Sequence, residues 1–159
     1  MLLDVYVSYG QIMVFDASVK LPGCLWTPEH GRQGFVRRDQ TASFRTIVEY
    51  GHTPVHVHLE PFVSSPEHVC AIEVPLRVTS GAVAIGGPEE IERKNLVALP
   101  AGSYRVTCAQ SGTESEGETV EIYLEKLERP LTHSRILVAG DFFDPPGPPS
   151  PLVEDAEIA

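Results

Sequence analysis

Through most of this 159-residue chain, apolar and polar residues alternate, and glycine or proline breaks the alternation every few residues. A period of two places successive side chains on opposite faces of a strand, whereas a helix requires a period near 3.6. Thirteen glycines and fourteen prolines, scattered without a fixed repeat, leave no room for long helices and exclude collagen-like structure. A chain built this way forms a core by packing short strands face to face.

Val5, Val7 and Tyr9 share one face of a first strand, and residues 11–15 form a second strand or continue the first past a bulge. Further strand-like runs cover residues 42–48, 54–59, 69–79, 82–85 and 120–127. Pro75 lacks a backbone donor, which places it at an edge or a bulge. Residues 95–99 and 103–109, joined by Pro100-Ala101-Gly102, read as a hairpin. The one helical start is Thr27-Pro28-Glu29, where Thr27 can cap, Pro28 suits the first turn and Glu29 faces the positive end of the dipole. Gly31 and Gly34 confine that helix to about residues 28–33. The expected fold is an all-β, antiparallel β-sandwich with one short helix. Residues 1–140 form its single domain. Residues 141–159 form a Pro-rich, acidic tail, flexible or polyproline-like, with five prolines between Asp141 and Pro151.

Lys and Arg number 12 against 22 Asp and Glu, a net charge of −10. That balance excludes binding to nucleic acid through phosphate neutralisation, and it excludes a basic membrane-surface role. A charged partner of this chain is expected to be basic. Cys24, Cys70 and Cys108 have no CxxC spacing and fit buried, reduced thiols. No apolar run approaches the roughly 20 residues that span a bilayer. The opening Met-Leu-Leu-Asp-Val-Tyr lacks the basic start of a signal peptide, so a cytoplasmic protein is expected.

Two side-chain sets carry candidate chemistry. His52, His56 and His58 lie on one face of a strand, with Glu60 in step. Two imidazoles and a carboxylate on one face can ligate Zn²⁺, Fe²⁺ or Mn²⁺. The pattern superficially resembles a cupin motif, but the Glu and Gly spacings of cupins are not met. The plain alternative is a solvent-facing strand whose buried side is Val55, Val57 and Leu59. Glu114, Glu116, Glu118, Glu121 and Glu125 form the second set, an acidic row that either protects a sheet edge or steers a basic partner. No G-x-S-x-G elbow, Cys–His pairing or phosphate-binding glycine loop is present, so neither catalytic residues nor a cofactor are expected.

Three segments in order carry a resemblance: residues 7–15 with the pattern S-Y-x-Q-x-x-V-F, residues 25–35 with W-T-x-E leading to residues 42–44, and residues 99–108 with L-P-x-G-x-Y-x-x-T-C. Together with Val74-Pro75-Leu76-Arg77-Val78, they resemble the bacterial competence protein J family over about residues 5–127. That family is known as the inhibitor of the DNA-entry nuclease of competence. The resemblance implies an all-β, non-catalytic protein that binds a nuclease, with the acidic row standing in for DNA phosphates. Histidines at 56 and 58 are not part of the family pattern. Tyr9, Phe15, Trp26 and Tyr104 read as core or turn determinants. The readings that compete with inhibition are a metal-binding, cupin-like β-barrel enzyme using the His56/His58 strand, and an interaction module recognised through residues 145–151.

Overall fold

The computed structural model describes residues 1–90, 95–140 and 151–159. Its strands are β1 (Leu2–Val7), β2 (Gln11–Asp16), β3 (Phe35–Arg38), β4 (Thr41–Arg45), β5 (Gly51–His58), β6 (Cys70–Val78), β7 (Ala82–Gly86), β8 (Leu96–Ala98), β9 (Gly102–Thr113), β10 (Gly117–Leu127) and β11 (Arg135–Val138), with one helix, α1 (Pro28–Gln33). They form two sheets, one of six strands ordered β1-β5-β10-β9-β6-β11 and one of five ordered β3-β4-β2-β7-β8. The fold is the expected sandwich with its short helix. All pairings are antiparallel except β5 with β10, which run parallel.

The alternation in sequence accounts for the packing. Val5, Val55, Val57, Val106 and Ile122 of the larger sheet meet Ile12, Val14, Phe35 and Phe44 of the smaller in one buried cluster. β2 is buried on both faces, because Met13 and Phe15 on its outer side are covered with Ala84 by Val19. Pro75 sits where β11 has already ended, since β11 pairs only as far as Glu73. On that open side the next available donor, Arg77 N–H, goes to the Asp39 carbonyl instead, so the strand is an edge there.

Residues 95–109 differ from expectation. β8 pairs with β7 of the smaller sheet, while β9 lies between β10 and β6 of the larger. The proline-glycine segment is therefore a crossover, not a hairpin turn. The free edge of β7 captures the incoming strand: Leu99 N–H donates to the Gly81 carbonyl at 2.9 Å, and Leu99 is buried. Tyr104 fastens the crossover by donating its hydroxyl to the Pro100 carbonyl at 2.7 Å.

Residues 141–150, which hold most of the prolines of the expected tail, lie outside the described residues. The acidic end, 151–159, is tied back against α1. Buried Gln33 donates to the Val153 carbonyl and accepts from Val153 N–H, both at 2.9 Å. His30 accepts the Thr27 N–H through Nδ1, so its Nε2 carries the proton and donates to the Asp155 carbonyl. The Glu154 carboxylate accepts from Ser134 N–H and Oγ. Here polar partners distant in sequence outweigh the loose-tail tendency of the composition. Ending the chain at residue 150 would remove both Gln33 bonds to Val153, each worth about 0.5–1.5 kcal/mol net. Urea unfolding of that truncated chain should show a lower midpoint; an unchanged midpoint would contradict the docking.

Candidate protein-binding cleft

The acidic row does not form one surface. Glu114 and Glu116 occupy the exposed turn between β9 and β10, but Glu118 is buried. Its Oε1 accepts Ile47 N–H at 2.9 Å and Val48 N–H at 3.2 Å, and its Oε2 accepts Gln110 Nε2 at 2.7 Å. Burial pushes its pKa above the ordinary carboxylate range, against the lowering effect of those three bonds. Glu121 and Glu125 are on the outer face of the larger sheet, and both have partners. Glu125 pairs with Arg105 at 3.0 Å, and Arg105 with buried Glu73, which also holds Arg135.

Around Glu121 the histidines reappear in a different role. Ser65 N–H donates to His68 Nδ1, leaving Nε2 to donate to Glu121 Oε1 at 3.3 Å. Tyr123 donates its hydroxyl to Oε2 at 2.7 Å. His58 stacks on the Tyr123 ring at 4.4 Å, its Nε2 3.2 Å from Oε2 but out of line for a hydrogen bond. Burial works to raise the Glu121 pKa, but the Tyr123 and His68 contacts outweigh it and hold the carboxyl below its usual range. The same burial and contact push Tyr123 up to about 12.

Of His52, His56, His58 and Glu60, only His58 and Glu60 come together, Nδ1 to Oε1 at 3.8 Å. On an extended strand, residues 52 and 58 are separated by roughly 20 Å. His52 pairs with Asp4 at 3.1 Å across β1, and His56 is exposed. Among the described residues no three His, Cys, Asp or Glu side chains come together as metal ligands. Leu59, expected on the buried side, is 61% exposed because β5 ends at His58.

A cleft of about 800 Å³ opens at the end of the sandwich where the chain changes sheets. Its walls include Tyr9, Gln11, Trp26, Arg45, Glu49 and Glu114. The β1–β2 connection supplies Tyr9 and Gly10 in a two-residue turn, closed by Gln11 N–H on the Ser8 carbonyl at 3.1 Å. Tyr9 has φ 53° and Gly10 φ 64°, the left-handed conformation of a type I′ turn. Glycine adopts it freely, but at Tyr9 it costs free energy. The turn is fixed to the β4–β5 crossover by Gly10 N–H on the Glu49 carbonyl and by Thr46 N–H on the Gly10 carbonyl, both 2.9 Å. Glu118 holds the same crossover from below. Tyr9 is 60% exposed and meets Tyr50, itself 50% exposed, edge to face at 5.6 Å. Trp26 is half-buried, with Nε1 donating to Gln11 Oε1 at 3.1 Å.

The family model for competence protein J (ComJ) matches residues 4–127. The chain belongs to the ComJ family. Two solved structures share the fold. One is ComJ of Bacillus subtilis, inhibitor of the DNA degrading activity of NucA, at TM-score 0.68 and 22% identity, covering 80% of this chain and 96% of that one. The other is crocagin biosynthetic gene J, at TM-score 0.57 and 17% identity with the same coverage of each chain. No curated protein sequence matches significantly. Of the ComJ-like residues expected in the core or in turns, Phe15 and Tyr104 are buried, whereas Tyr9 and Trp26 face the cleft. Tyr9 shapes a turn, but its ring is offered to solvent. The Tyr-Gly pair between two strands was the available signal, because Tyr is an unusual choice for the first position of that turn.

Two outcomes check this construction. Tyr9→Asn should raise unfolding free energy by about 1 kcal/mol, since Asn tolerates the left-handed conformation; a loss of stability would contradict the strain. Glu118 is held above its ordinary value of 4.5, so the native state keeps that proton longer than the unfolded chain. Its contribution to stability is therefore greatest at low pH and falls as pH rises from 4.5 through the raised native value. Urea titrations across that window should show this fall in the parent and not in Glu118→Gln.

Proposed function

We propose that this chain is a non-catalytic inhibitor that binds a competence-type nuclease and blocks its action on DNA. The observation that carries the reading is the ComJ family match across residues 4–127, together with a shared fold with a protein described as the inhibitor of NucA. The geometry agrees. Two of the five acids in the row, Glu114 and Glu116, point freely from the β9–β10 turn, and Glu49 adds a third exposed carboxylate beside the cleft. These acids supply a phosphate-like charge to a site built for DNA, and long-range attraction of this kind acts mainly on the rate of encounter.

The reading places the protein in the cytoplasm. Cys24, Cys70 and Cys108 are free and buried, and burial pushes the Cys70 thiol up to about 12 and Cys108 well above its usual value. Such thiols are inert and suit a reducing compartment. No helix among the described residues is long and apolar enough to cross a membrane.

The direct test mixes the purified protein with a NucA-type nuclease and follows DNA cleavage. Cleavage should stop near equimolar protein, with a complex on a sizing column; full cleavage at excess protein and no complex would overturn the proposal. Replacing Glu114 and Glu116 together by Gln should slow association several-fold at low salt and flatten its salt dependence.

A further inference from the structure

We infer that the cleft receives an arginine side chain presented by the protein partner. The inference rests on the protein-binding reading above and narrows it to one kind of contact. Four observations at one end of the sandwich support it. Aromatic faces are available: exposed Tyr9 and half-buried Trp26 line the cleft, and Tyr50 outside it stands edge to face against Tyr9. Rings of this type attract a cation through their negative faces, and guanidinium stacks on them more readily than ammonium does. Carboxylates stand beside them: Glu49 and Glu114 line the cleft, are exposed, and make no ion pair among the described residues. The cation in the wall, Arg45, has its Nη1 committed to the Gly31 carbonyl at 3.0 Å.

The third observation is that the site is held open before anything binds. Backbone bonds tie the Tyr9 turn to the Glu49 crossover, and the Glu118 carboxylate anchors that crossover to β10. A pre-formed site avoids the ordering cost that weakens flexible ones. The fourth is strain. A bulky residue at φ 53° is uphill, and the bonds that hold the turn are all between backbone groups and use no part of the ring. A ring kept exposed at that cost is explained by what it touches. The cleft has room for one long side chain together with part of the loop that carries it. A planar fork that stacks on a ring while its edge meets a carboxylate is a property of arginine, and lysine cannot do both at once.

Trp26 is the sole tryptophan, so its fluorescence reports the cleft directly. The probe is the blocked tripeptide acetyl-Gly-Arg-Gly-amide, compared with the same peptide carrying citrulline or norleucine in place of Arg. Citrulline keeps the shape and loses the charge. The Arg peptide should give a saturable change, binding at least tenfold more tightly than either analogue. That response should vanish in Glu49→Gln/Glu114→Gln and in Tyr9→Asn, whose thermal unfolding shows whether each remains folded. Equal binding of the norleucine peptide would mean a merely apolar groove and would overturn the inference. Equal binding of citrulline, or no saturable response, would overturn it as well. The two readings separate cleanly: a protein that inhibits the nuclease without engaging the Arg peptide loses this inference and keeps the inhibitor role. One that binds the Arg peptide yet leaves cleavage untouched keeps this inference and loses that role.

Discussion

The carboxylate of Glu118 is buried where β9, β10 and the β4–β5 crossover meet, and it accepts two backbone N–H groups and one side-chain amide there. Sandwiches are weakest where the chain leaves one sheet for the other, because backbone donors at those crossovers have no ladder to join. Glu118 supplies the missing acceptor for Ile47 and Val48. Gln110, bridging the Arg45 carbonyl and Glu118, carries the same support to the end of β4. The Tyr9 turn hangs on this crossover in turn, so the geometry of the cleft depends on one desolvated charge. A neutral glutamine cannot replace it, since one amide oxygen cannot serve both the crossover and Gln110.

On one broad surface away from the cleft, charges are arranged in opposed pairs. Across the outer face of the larger sheet, Arg135, Glu73, Arg105 and Glu125 alternate in sign over four neighbouring strands. Glu121 is met by Tyr123 and His68, with His58 close by. Such pairs on a half-exposed face contribute little to stability individually. Their effect is to leave that face without a strong field. What remains of the negative charge in the 114–125 stretch sits at the β9–β10 turn, beside the cleft, and this places the field where the aromatic rings are.

Most strands and the helix were legible because each rests on local chemistry: alternation for β1, β2 and β4 through β10, a Thr-Pro-Glu start and Gly34 for α1. The four residues of β3 are too few to show a period. The partnership of β8 was not legible, since a proline-glycine segment serves equally as a hairpin turn or as a crossover. Only the free edge of β7 decides between them. The acidic row was visible in sequence, but grouping its members as one surface ignored the period of two. Glu118 and Glu121 differ by three residues, so one points to the core side and the other outward. The histidine set failed on distance, because sharing a strand face does not bring residues 52 and 58 together. Tyr9 and Trp26 carried no polar or periodic signal of function, and their role emerges only where three connections converge.

The account stands on the claim that the crossover end of the sandwich, not its outer sheet face, meets the partner. Amide hydrogen exchange of the chain, free and bound to a NucA-type nuclease, tests this most directly. The account predicts new protection at residues 8–11, 46–50 and 112–117, with β5 and β10 unchanged along their outer-face residues. Protection concentrated around His56, His58 and Glu121, with the Tyr9 turn exchanging as in the free protein, would contradict it.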